Sequence, residues 1–316
     1  PYTGGHINRV VDLTMMIAEK INHTNEGAFK DLSFDDEELQ ALRMAAWMHD
    51  VGKITTPEHV VDKATKLETI QDGLNLIETR FGLIAKAIEN EQLRREVDLW
   101  QKGDIHASDS PEWTAGPAEE IKALTEDLEF IRDCNTPAEF MSDEKIERLE
   151  TIARKTYVAD GEEHTYLTAE EVQKLSIKKG TLTAKERAVI ENHTTMTAKM
   201  LHKLPFPKLL AKVPDYAAAH HEKLDGTGYP QRLSKAEISV QARIMAIADI
   251  FEALTAPDRP YKKPMKLSQA IKIMGFMKKD HHIDPDIYDL FIQSGLPLDY
   301  AHKEMNPDQI DEIVPG

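Results

Sequence analysis

Histidine and aspartate gather at four places in this 316-residue chain: His49 and Asp50 in HDVGK, His193 in ENHT, His220 and His221 in AHHEKLDGTGYP, and Asp249 in RIMAIADIFEALT. Imidazole nitrogen and carboxylate oxygen together suit Fe, Mn or Zn, and no thiolate joins them. They point to a catalytic metal site rather than a Cys-rich structural one. Any one of these histidines alone would read as an ordinary surface or hydrogen-bonded residue. An adjacent His-Asp pair, an adjacent His-His pair, a separate His and an Asp in an apolar helix together do not. The neighbours of Asp249, namely Ile247, Ala248, Ile250 and Phe251, indicate burial, and a buried carboxylate needs a metal or a cationic partner.

Rigid helices can aim such ligands at one centre. Ile7, Val10, Val11, Met15, Ile17, Ala18 and Ile21 follow helical spacing, and Leu39, Leu42, Ala46 and Trp47 do so again just before His49. Further helical patterns span about 183–201, 217–221, 240–254 and 267–277, while strand signals are sparse, so the fold class is all-α. In the middle of the chain Ile70, Leu74, Ile77, Phe81, Ile84 and Ile88 form one seam. Ile121, Leu124, Leu128 and Ile131 repeat it after a Gly, Asp, Ser and Pro-rich loop around 103–117. A long helical hairpin is expected, continued by a segment with Ile146, Leu149 and Ile152. Its plain reading is a packing or spacer element, and its sharper reading is a homodimerisation or signal-relay arm. The acidic stretch after Gly295, broken by Pro297, Pro307 and Pro315, reads as a tail wrapping the surface.

The formal charge of -16 opposes binding to long DNA or RNA, so a small anionic substrate needs a local cluster of cations or metals. A single cysteine, Cys134, excludes an internal disulfide framework and fits the reducing cytoplasm. No run reaches the roughly 18 to 20 apolar residues of a membrane span, and no signal-peptide pattern opens the chain. A chain that starts at Pro1 within a helical pattern reads as part of a longer protein, with an upstream sensory domain that could itself be membrane-anchored.

Taken together, HDVGKITTPEHVV, KKGTLTAKERAVIENHT and HHEKLDGTGYPQRLS followed by ISVQARIMAIADIFEALTAPDRPYKKP resemble an HD-GYP domain, a subgroup of the HD hydrolase superfamily. The resemblance covers both ends of the chain but not its middle. In the compact family pattern the segment after HDVGK runs directly into a KxGxL stretch, whereas here KATKLE and KKGTLTAKE look like its severed ends. The domains expected are therefore a first catalytic part at 1–67, a helical-hairpin insertion at 68–177, a second catalytic part at 178–295 and a tail at 296–316.

The resemblance implies that His49, Asp50, His193, His220, His221 and Asp249 ligate divalent metal ions, usually iron or manganese, with Asp50 as the bridge. His6, in TGGHINRV, is implied as a further ligand. Family members that hold three metals carry a Glu four residues before that histidine; Tyr2 stands there in this chain, so two ions are expected. Two cations can acidify a bridging water, orient the resulting hydroxide and neutralise charge developing on a phosphodiester. Lys53, if one helical turn beyond His49, would face the same site and donate to a phosphate oxygen. The resemblance also gives Tyr229 a nucleotide contact, and Arg259 and Lys262 a contact with phosphate or guanine. A loop anchor is the alternative for Tyr229, and a helix-end salt bridge for Arg259. Asp284 and Pro285 look like a helix cap and first turn, which makes the preceding His281 and His282 surface residues rather than ligands. His59, His106 and His164 receive no role.

The expected activity is hydrolysis of cyclic di-GMP to linear pGpG, with GMP on further hydrolysis. The alternatives are an HD phosphohydrolase acting on 3',3'-cyclic GMP-AMP or another nucleotide, and a non-catalytic cyclic-dinucleotide sensor.

Overall fold

The apolar spacing that opens the chain folds as helix α1 (Tyr2–Asn22), followed by α2 (Asp36–Met48) and the short α3 (Glu58–Val61). The computed structural model describes residues 2–103, 111–137, 140–159, 161–258 and 264–311. Next come α4 (Leu74–Gln101), α5 (Pro111–Asn135) and α6 (Asp143–Ala153), then strands β1 (Thr156–Ala159) and β2 (Glu162–Thr165) and helix α7 (Ala169–Leu175). The chain continues through α8 (Ala184–Leu201), α9 (Val213–Ala218), α10 (Val240–Thr255), α11 (Leu267–Lys279), α12 (Pro285–Gln293) and α13 (Leu296–Glu304). The fold is all-α, and β1 and β2 are the only strands among the described residues.

Contacts divide the chain into two units, one formed by Pro1–Pro57 with Ala188–Gly316 and the other by Glu58–Arg187. In the first unit α1 packs on α10 and α2, and α2 on α9. Helix α1 buries Val10, Leu13, Ile17, Ala18 and Ile21, and α2 meets it with the small face Ala41, Ala45 and Ala46, where short side chains allow close approach. The start of α2 is fixed by a capping box: Glu38 N–H donates to Asp35 at 2.8 Å, and Asp35 N–H donates to Glu38 at 3.1 Å. Helix α10 is buried on most of its faces, with Ile244, Ile247, Ala248 and Phe251 all inaccessible. Phe251 stacks edge-on against Phe291 of α12 and Tyr300 of α13, at centroid distances of 5.1 and 5.5 Å.

The described part of the stretch after Gly295, residues 296–311, is not a surface tail. Pro297 lies in the first turn of α13, where a missing N–H costs nothing, and α13 buries Leu296, Tyr300 and Ala301 in the core. Beyond it the buried Gln309 donates from one amide nitrogen to the carbonyls of Thr255 and Met265, at 2.9 Å each. Asp284 caps α12, accepting from Asp286 N–H at 2.9 Å, with Pro285 in the first turn as the sequence implies.

In the second unit α4 and α5 pair as a hairpin around Ile77, Phe81, Ile84, Leu124 and Ile131. The seam starts later than its periodicity suggests. Ile70 is 89% exposed, because Asp72 accepts from Leu74 N–H at 2.9 Å and starts the helix there. Helix α5 begins inside the expected loop, carrying Pro117 within it, and α6 packs against α7 while its Leu149 and Ile152 share one core with the hairpin. This unit takes in residues 58–67 and 178–187, which the motif boundaries leave with the catalytic part. The reason is local: buried Lys63 pairs with Glu186 at 2.7 Å, and Leu67 N–H donates to the side chain of Asn135 at 2.8 Å.

Candidate metal centre

His49 and His220 follow the ends of α2 and α9 and His193 lies within α8, and each is aimed by the backbone carbonyl three residues before it. The ring Nδ1 of His49 lies 2.7 Å from the carbonyl of Ala46, that of His193 2.6 Å from Ile190, and that of His220 2.7 Å from Ala217. A carbonyl only accepts, so Nδ1 carries a proton and, in the neutral ring, Nε2 keeps its lone pair. The three Nε2 atoms are buried and have no hydrogen-bond partner among the described residues. Three buried, lone-pair-bearing nitrogens converging on one place fit a cation and little else.

They converge around Asp50. Its Oδ1 lies 3.3 Å from His193 Nε2, and its Oδ2 lies 3.4 Å from His49 Nε2 and 3.5 Å from His6 Nε2. Asp249, from α10, places Oδ1 3.4 Å from His6 Nε2 and 4.0 Å from His49 Nε2. Two sets result, one of His6, His49 and Asp50, the other of His193, His220 and His221, each with its donor atoms within 4.8 Å of one another. All of the expected ligand positions are thus brought together, although the side chain of Asp249 keeps 14% exposure.

The electrostatics follow from burial set against this crowding. Burial opposes ionisation of Asp50, but His49 and Lys53 outweigh it and hold the carboxyl well below the usual carboxylate range. Burial likewise pushes His6 down, yet Asp50, Glu252 and Asp249 together raise it to about 9. For His221 burial prevails and lowers it to about 4, and His220 is driven well below its ordinary value by burial together with His221 and His49.

Lys53 reaches the site by another route than a continuous helix. α2 ends at Met48 with His49 as its cap, and Lys53 lies on a 3-10 turn, Val51–Thr55, that sets its ammonium 2.5 Å from Asp50 Oδ2 with a third of the side chain exposed. That turn can approach α8 because residue 52 is glycine: a Cβ there would sit 2.0 Å from the His193 carbonyl. Thr197 seals the contact, accepting from Gly52 N–H at 3.0 Å and donating to the His49 carbonyl at 3.1 Å. Tyr229 lies against His221, with ring centroids 4.9 Å apart and planes tilted by 30°. Arg259, Lys262 and the side chain of Tyr2 lie outside the described residues.

The motifs alone do not disclose the supports. Glu252 is fully buried and holds the Nδ1 of His6. Its signal was its place one turn after Asp249 in an apolar helix. Glu222, beside His221, is 4% exposed and accepts from the N–H groups of Gln231, Arg232 and Leu233 at 2.6, 3.1 and 2.9 Å, which fixes the loop carrying Tyr229.

Two family models, both described as HD domain, match residues 168–287 and 3–131. Both matches are to the HD-domain family, whose members are metal-dependent, and the motifs of this chain follow the HD-GYP pattern. The chain is similar to a 3'3'-cGAMP-specific phosphodiesterase of Vibrio cholerae, 42% identical over 35% of this chain and 23% of the relative. It is also similar to a cyclic di-GMP phosphodiesterase of Pseudomonas aeruginosa, 38% identical over 37% of this chain and 27% of the relative. A cyclic di-GMP phosphodiesterase of Thermotoga maritima is 32% identical over 43% of this chain and 36% of the relative. The matches span only about a quarter to a third of those relatives. Among the described residues no helix is long and apolar enough to cross a membrane.

Proposed function

We propose that the protein is a metal-dependent phosphodiesterase that hydrolyses cyclic di-GMP to linear pGpG, and to GMP on further hydrolysis. The observation that carries this reading is the bridging disposition of Asp50, one oxygen toward each histidine set. His6, His49, Asp50 and Asp249 would hold one divalent ion, and Asp50, His193, His220 and His221 a second, with iron or manganese suited to this nitrogen and oxygen donor set. When bound, the ions supply Lewis acidity toward the phosphodiester and an acidified water.

The remaining work falls to the chain's own residues. Backbone carbonyls hold His49, His193 and His220 in the tautomer that offers Nε2. Asp50 stays ionised at neutral pH, as a bridge requires. Lys53 presents a partly exposed ammonium beside the centre and donates to a phosphate oxygen, acting in catalysis and in binding. Tyr229 lies against His221 and contacts the nucleotide, while Arg259 and Lys262 bind phosphate or guanine. This local positive charge offsets the -16 field that otherwise repels an anionic substrate.

A second reading, 3',3'-cyclic GMP-AMP as the substrate, is favoured by the Vibrio cholerae relatives named for that activity. The exposed Leu83, Leu93, Val97 and Trp100 of α4 support the hairpin as a homodimer arm, and the lone buried Cys134 accords with a cytoplasmic setting. Purified protein loaded anaerobically with Mn2+ or Fe2+ and given both cyclic dinucleotides in competition tests the activity by product chromatography. Turnover of cyclic di-GMP is expected. Turnover of only the mixed dinucleotide would establish the second reading, and tight binding without hydrolysis would make the protein a sensor.

A further inference from the structure

Arg9 follows His6 by one turn on α1, and its side chain is 11% exposed. Its Nε donates to Oε1 of Glu252 at 2.8 Å, while Nη2 and Nη1 donate to the two oxygens of Asp258 at 2.7 and 3.2 Å. Glu252 is fully buried, and its other oxygen holds the Nδ1 of His6. A planar guanidinium engaged along two edges grips both oxygens of Asp258 and one of Glu252 at once, which a lysine ammonium cannot do. Room for the pair comes from Gly5, where a Cβ would lie 3.0 Å from Arg9 Nη1 and 3.1 Å from Asp258 Oδ2.

The geometry points to Arg9 as a positioning residue for the His6 side of the centre, with Asp258 as its outer anchor. Arg9 blocks rotation of the Glu252 carboxylate, and that carboxylate aims the His6 ring so that Nε2 faces Asp50 and Asp249 at 3.5 and 3.4 Å. The inference rests on the reading of these residues as holding a metal ion, and outer partners of this kind commonly govern metal retention.

Mn2+ affinity of chelator-stripped protein, measured by competition with a chromophoric chelator well below the unfolding temperature, tests it. Arg9→Gln should weaken Mn2+ binding about 10- to 100-fold. Asp258→Asn, altering a 39% exposed carboxylate, should weaken it by less in the same direction. Arg9→Lys should rescue only part of the loss, since it restores the charge but not the two-edged grip. A merely structural tie would lower the thermal midpoint and leave Mn2+ affinity at the wild-type value, which would overturn the inference. If Arg9→Gln does not fold, wild-type affinity in Asp258→Asn overturns it just as well. Wild-type protein that binds no Mn2+ would defeat the metal reading itself, a result distinct from wild-type binding that the variants share.

Discussion

Oδ1 of Asp50 lies 3.3 Å from Nε2 of His193, a residue supplied by α8, while Oδ2 of the same carboxylate faces His49 and His6. One side chain therefore belongs to both histidine sets. Asp50→Ala should strip metal from both, leaving near-zero content by plasma mass spectrometry, and should cut hydrolysis at least about 100-fold, since outer partners alone cost 10- to 100-fold. A variant that retained its metal would sink the bridging role.

Thr197 is inaccessible and makes two bonds through one hydroxyl, to Gly52 N–H and to the His49 carbonyl. Thr197→Val keeps the volume and leaves both groups unsatisfied. A loss of about 1–3 kcal/mol in urea unfolding is expected. Unchanged stability would mean that water replaces the hydroxyl.

At position 52 any side chain collides with backbone, since a Cβ would meet the His193 carbonyl at 2.0 Å and the Thr197 nitrogen at 2.6 Å. Gly52→Ala should force α8 and the His49 turn apart, destabilising the protein by about 1–3 kcal/mol or more and lowering metal content. Parallel melting and metal assays check both.

The three N–H groups gathered by Glu222 all belong to the loop that follows Tyr229. Glu222→Ala should loosen that loop without touching a metal ligand. The KM for substrate should rise about tenfold, equivalent to about 1.4 kcal/mol, with metal content preserved. A fall in kcat alone would argue against a substrate-contacting loop.

For chelator-treated protein, stability should peak near pH 6.5. His221 titrates at about 4 when folded, below its ordinary 6.5, so its contribution is complete above 6.5 and is lost as pH falls toward 4. His6 titrates at about 9, so its contribution is complete below 6.5 and is lost as pH rises through 9. Added metal must displace the His6 proton, so Mn2+ affinity should climb between pH 6.5 and 9. Thermal melts across pH 4.5 to 9.5, with and without Mn2+, report both trends. Stability rising steadily through pH 9 would contradict the raised His6.

The candidate ligands were legible because their chemistry is written in contiguous text: HD, HH and an Asp among apolar neighbours announce themselves. Helical periodicity likewise located α1, α2, α8 and α10, where burial recurs every three or four residues. What escaped was information carried by pairs far apart in the chain. Arg9 and Glu252, 243 positions apart, each look like an ordinary helical charge until the fold joins them. Pro297 was misread because proline breaks a helix interior but suits a first turn. The hairpin β1 and β2 left little trace, since β2 is exposed along its whole length and lacks the alternation that marks a half-buried strand.

The amide of Gln309, bonded to the carbonyls of Thr255 and Met265, has a consequence in polymer terms. Gln309 thereby ties the last residue of α10 to a residue two positions before α11, holding Thr255 and Met265 at a fixed separation. The entropy lost in bringing those two points of the chain together is then incurred once, during folding.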